Sequence, residues 1–114
     1  MSSVRTQALL WYGQRVSGMV LALCVVVHLG VVIYAVRGGL TAAEILGRTR
    51  GSWAVAAFYG VFVVACAIHA PIGVASLVAE IPGTRAAKRL PIAPALAFLI
   101  LAMGMRAVYA VVAP

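Results

Sequence analysis

Negative charge is nearly absent from these 114 residues: two acidic side chains stand against nine lysines and arginines, and charged residues of both signs make up 10% of the chain. A soluble domain is about a quarter charged. With 65% hydrophobic residues and a mean hydropathy of +1.11, there is too little polar surface to cover a water-facing fold of one domain. A soluble globular protein is excluded, and the solvent must be lipid. The net charge of +7 does not indicate a nucleic-acid partner, because the basic residues are scattered between apolar blocks and do not gather into a stripe with interleaved aromatics. They read as membrane-flanking charges. Cysteine is confined to Cys24 and Cys66, each inside an apolar run without CxxC spacing, which excludes a disulfide framework and leaves two small packing residues.

Long uncharged runs organise the chain. Val16 to Val36 gives 21 residues closed by Arg15 and Arg37, enough for one span and longer than the apolar part of a signal peptide. Residues 38–52 are rich in glycine and arginine and predict an aqueous loop with a short interfacial helix around Thr41 to Leu46. Trp53 to Ala79 is a second uncharged run, anchored by Trp53 at the interface. A Pro-Gly turn after Glu80 leads to a third run from Leu90 to Ala113, interrupted by Arg106. The expected fold is therefore all-α, a single membrane domain with helices over about 16–36, 53–79 and 90–113. Arg5, Arg15, Arg85, Lys88 and Arg89 lie on one side against Arg37, Arg48 and Arg50 on the other, and five against three places the N-terminus in the cytoplasm.

Both histidines, His28 and His69, fall within spans, where an ionisable group is costly and marks a functional site by default. A lone intramembrane histidine serves equally well as a hydrogen-bonding partner for a neighbouring helix. Two of them, in different spans and with no cluster of thiolates or carboxylates, suit axial ligation of haem b better than zinc. On the second span Phe62, Cys66, Gly73 and Ser76 share the face of His69, and Gly73 makes room either for a macrocycle or for ordinary helix packing. Pro71 should kink that helix. Ser17 is 11 residues before His28 and Glu80 is 11 after His69, so each lies on its histidine's face. With Arg15 they form a cation, a hydroxyl and a carboxylate at one depth, suited to the oxygens and protons of a quinone. Each also has a plain role: Arg15 snorkels to headgroups and Glu80 ends a helix.

These residues carry a resemblance. Gln14-Arg15-Val16-Ser17-Gly18 resembles the H-R-x-[ST]-G segment of the first helix in membrane-anchor subunits of succinate dehydrogenase and fumarate reductase, and His69-Ala70-Pro71-Ile72-Gly73 with Glu80 resembles the H-x-x-x-G…[DE] pattern of their second. His28, ten residues after Gly18, is similar to a position in diheme cytochrome b anchors. The resemblance covers the first two spans. Trp11, Gln14 and Ile81 depart from the family's serine, histidine and tyrosine. It implies a haem b-binding anchor that passes electrons between an iron–sulfur subunit and membrane quinone, with a flavoprotein and a second membrane anchor as further partners. By the resemblance His69 and His28 are haem iron ligands and Arg15, Ser17 and Glu80 border the quinone site. Arg106, about 24 Å beyond Leu90 at 1.5 Å per residue, either snorkels at the outer face or pairs with a haem propionate. A small proton-coupled transporter or channel subunit using His69 and Glu80, and a haem-free structural anchor, are the alternatives.

Depth decides the haem number. From the cytoplasmic ends, His28 is 13 residues from Arg15 and His69 is 11 from Glu80, an offset of about 3 Å; from the outer flanks, 9 and 17 residues give about 12 Å. Both place His28 nearer the outside. The expectation is two haems, the outer held by His28 and the inner by His69, each completed by a partner anchor.

Overall fold

The computed structural model describes residues 3–83 and 92–114. Four helices follow in order: α1 (Val4–Gly38), α2 (Ala42–Thr49), α3 (Trp53–Ala79) and α4 (Ile92–Val112). Three of them, α1, α3 and α4, are long and apolar enough to cross a membrane, and the chain is an all-α integral membrane protein. The basic residues Arg85, Lys88 and Arg89, and the start of the third uncharged run at Leu90, lie outside the described residues.

The helix boundaries follow from local chemistry. α1 begins twelve residues before the uncharged run does, because Ser3 caps it by accepting the Thr6 N–H at 3.1 Å and nothing between Ser3 and Gly38 breaks a helix. At about 1.5 Å per residue its 35 residues reach about 52 Å, well beyond the roughly 30 Å of a bilayer core, so it sets the 50 Å long dimension of the molecule. Gly39, at φ 124°, ends it. Thr41 then caps α2 by accepting the Glu44 N–H at 3.2 Å, and Ser52 caps α3 through the Val55 N–H at 3.2 Å. The range of α3 coincides with the second uncharged run, and the helix continues through Pro71, which is buried.

α3 lies between α1 and α4 and packs along both. Contact is made through small residues, as helices in lipid require. Ser17 and Cys24 on α1 are 4% exposed and Ala65 on α3 is 5% exposed, and with Pro71 they are the buried positions among the described residues. Gly104 of α4 sits so close to Val63 that an added Cβ would lie 2.5 Å from its Cγ1. At one end of the bundle, the corner between α2 and α3 closes over the last turn of α4. Thr49 Oγ1 donates to the Val111 carbonyl at 2.6 Å and the Gly51 N–H donates to the Val112 carbonyl at 2.7 Å. Two of the carbonyls that a helix C-terminus leaves open are thereby satisfied.

Candidate functional site

The two histidines occupy different environments at different depths. His69, half-buried on α3, faces Ser17 and Gly18 of α1. Its Nδ1 is 3.3 Å from Ser17 Oγ, and Ser17 Oγ is in turn 3.2 Å from the backbone carbonyl of Gln14. A carbonyl only accepts, so the single hydroxyl proton goes to Gln14, as serines in apolar helices commonly bond back one turn. Ser17 Oγ is then the acceptor, and Nδ1 carries the imidazole proton. Of the two neutral tautomers this contact selects the one that leaves the lone pair on Nε2, the form in which histidine binds a metal. Gly18 leaves the ring its space: a Cβ there would stand 3.3 Å from His69 Cε1.

Beside this pair, Gln14 fills the notch at Gly73, where a Cβ would come within 3.3 Å of its Nε2. Gly73 thus gives space to the Gln14 amide of the facing helix. Gln14 Oε1 is buried and has no hydrogen-bond partner among the described residues. A polar group left open in this way, next to His69, suits a site that receives a further polar molecule.

His28 lies at the level of Tyr59 and Phe62, edge-on to both rings with centroids 5.8 and 5.9 Å away. Phe62 and Cys66, which share the face of His69 along α3, therefore belong to the surroundings of His28. Among the described residues neither ring nitrogen of His28 has a hydrogen-bond partner. It lines a cleft of about 870 Å³, floored by α3 and walled by α1 and α4, with Phe62, Cys66, Gly104 and Val108 among its apolar surfaces. The 11 residues between Ser17 and His28 amount to about 16 Å along α1, and the 7 between Phe62 and His69 to about 10 Å along α3. One iron cannot bond both imidazoles across that offset.

No protein-family model, curated protein or solved structure matches this chain. Its chemistry has to be read from the side chains.

Among the described residues no three His, Cys, Asp or Glu side chains converge. A haem brings its own equatorial nitrogens and asks the protein for as little as one imidazole. The apolar cleft at His28 and the free Nε2 of His69 fit that requirement. The three residues expected from sequence to border a quinone do not converge. Arg15 is exposed with its guanidinium 5.3 Å from the Trp11 ring centroid, Glu80 is exposed at the C-cap of α3, and Ser17 is buried against His69. A second cleft of about 550 Å³, between α1 and α3, is lined by Ser17 and apolar neighbours and by neither Arg15 nor Glu80. Arg106 is exposed on α4 and lines neither cleft, although Gly104, Ala107 and Val108 around it line the larger one. The pairing of Ser17 with His69 escaped sequence reading, as did Arg48, which enters the larger cleft from α2.

Proposed function

We propose that this chain is the haem b-binding membrane anchor of a succinate:quinone or fumarate:quinone oxidoreductase, active only when assembled with a flavoprotein, an iron–sulfur subunit and a second anchor. The observation that carries this reading is His69, held through Nδ1 by a buried serine so that Nε2 is free to ligate. The order Arg15-Val16-Ser17-Gly18, His28, His69, Glu80, with its resemblance to such anchors, adds to it. Haem bound here would supply a one-electron carrier within the membrane.

Within that assembly His69 holds the inner haem and His28 the outer, and the offset between them calls for one ligand from the partner anchor at each level. A two-fold or pseudo-two-fold pairing of anchors meets that need. Ser17 orients His69, while Arg15, two residues before Ser17 on α1, and Glu80, at the C-cap of α3, are exposed polar groups that quinone would meet separately. We place the N-terminus in the cytoplasm and the protein in the cytoplasmic membrane from the distribution of Lys and Arg. Co-expression with the partner subunits, followed by a reduced-minus-oxidised spectrum and a pyridine-haemochrome count, tests the proposal. Two b-type haems per complex are expected, one lost in His69→Ala and the other in His28→Ala. A complex that assembles without a b-type spectrum would leave a haem-free anchor and overturn the reading.

A further inference from the structure

The larger cleft is lined mainly by apolar side chains, with Tyr34, Thr49 and Tyr59 contributing hydroxyls, and its two ionisable nitrogen groups are His28 on α1 and Arg48 on α2. Arg48 is half-buried near the end of α2 and is held in place by neutral groups. Its Nη2 donates to the Gly39 carbonyl at 2.6 Å, its guanidinium carbon lies 5.5 Å from the centroid of the Tyr34 ring, and Gly38 leaves Nη2 room, since a Cβ there would be 3.5 Å away. Glu44, one turn earlier on α2, packs its carboxylate against Gly39, and among the described residues no carboxylate pairs with Arg48. One of the five guanidinium N–H donors is used by the protein. A cation fixed by a carbonyl and an aromatic face, with most of its donors open toward an apolar cleft, calls for an anionic group carried on an apolar body.

We infer that Arg48 receives the carboxylate arms of the haem ligated by His28, so that this cofactor stands in the cleft with its acidic edge toward α2. The inference rests on the haem reading above. Tyr34, under the guanidinium, is six residues beyond His28 on α1, about 9 Å along the axis, within the reach of carboxylate arms from a macrocycle whose centre is at His28. Arg106 is displaced from that role because its side chain is exposed and lines no part of the cleft. Arginine suits the task better than lysine, since its planar fork matches a carboxylate with two parallel hydrogen bonds.

The test uses the assembled complex and compares Arg48→Gln, Arg48→Lys and Arg106→Gln by redox titration and resonance Raman spectroscopy. Removing a positive charge beside the cofactor disfavours the added electron. In Arg48→Gln the midpoint potential of the haem that depends on His28 should fall, while that of the His69 haem and both potentials in Arg106→Gln stay in place. The propionate bending band should shift in Arg48→Gln and, through loss of the fork, in Arg48→Lys, which serves as the second readout if the glutamine variant fails to assemble. Both haems present, with potentials and propionate bands unmoved in the Arg48 variants, would overturn this inference and leave the haem anchor standing. Loss of a copurified phospholipid in Arg48→Gln, without any haem change, would assign the arginine to a lipid headgroup and overturn it as well. Absence of any b-type spectrum would overturn the haem reading and this inference together.

Discussion

Replacing Ser17 by alanine removes one oxygen from a buried position and leaves a good helix former, so the backbone of α1 should be undisturbed. What is lost is the acceptor 3.3 Å from His69 Nδ1. A net hydrogen bond of this kind is worth about 1 kcal/mol. With every 1.4 kcal/mol a factor of ten, the ratio of the Nδ1–H to the Nε2–H tautomer should fall by about fivefold. Because haem needs the Nε2 lone pair, the tautomer shift lowers haem affinity by at most about that factor, and any loss beyond it, within the 10- to 100-fold typical of losing a ligand's hydrogen-bond partner, would come from the ring's lost orientation. Histidine-selective ¹⁵N NMR in lipid, on haem-free protein with His28 replaced by glutamine, reads the tautomer of His69 directly. The expected spectrum has the proton on Nδ1 before the Ser17→Ala change and mixed tautomers after it, and Ser17→Thr, which keeps the hydroxyl, should resemble the parent. A proton on Nε2 in the parent, or a tautomer ratio indifferent to Ser17→Ala, would refute the reasoning.

Gly104→Ala should destabilise the packing of α3 on α4 by about 1–3 kcal/mol, because the new methyl would lie 2.5 Å from Val63 Cγ1 and a β-branched side chain cannot swing aside; the loss of helical circular dichroism on heating in detergent measures it. Thr49→Val removes the donor to the Val111 carbonyl and should cost about 1 kcal/mol in the same assay. For orientation, a cysteine at exposed Ala43 should be labelled by an impermeant reagent from outside intact cells and one at Ser3 should be protected; the reverse pattern would invert the topology.

The spans were legible because lipid tolerates few charges, and a run such as Trp53 to Ala79 announces its own limits. The start of α1 was not, because a helix needs hydrogen bonds and an N-cap but no apolar surface where it projects into water: it runs back through Arg15 and Arg5 to Ser3. The interfacial helix was expected around Thr41 to Leu46, and its extension to Thr49 was not, since that turn is fixed by Val111 in another helix. At the site, residue types gave the histidines but periodicity misdirected their neighbours. An 11-residue interval places Ser17 on the face of His28 within α1, and yet across the helix interface the serine meets His69. Spacing within one helix reports a face, not what the facing helix brings to it. Arg48 was indistinguishable from its neighbours Arg37 and Arg50 for the same reason: a count of charges says which side of the membrane they occupy, and only the turn at Gly39 directs one of them into a cleft.

The corner between α2 and α3 also bears on the order of synthesis. Thr49 and Gly51 are made well before Val111 and Val112, so the donor half of this latch waits at the membrane surface until the last helix arrives. While it waits, the Thr49 hydroxyl has the Ile45 carbonyl of its own helix at 3.2 Å and the Gly51 N–H can be held by water, so closing the latch exchanges partners at little net gain. The hydrogen bonds can therefore fix the register of α4 without driving its arrival. The drive must come from the close fit of Gly104 on Val63, so a bulky residue at 104 would leave the final helix inserted but undocked, whereas a lesion at Thr49 would let it dock slightly out of place.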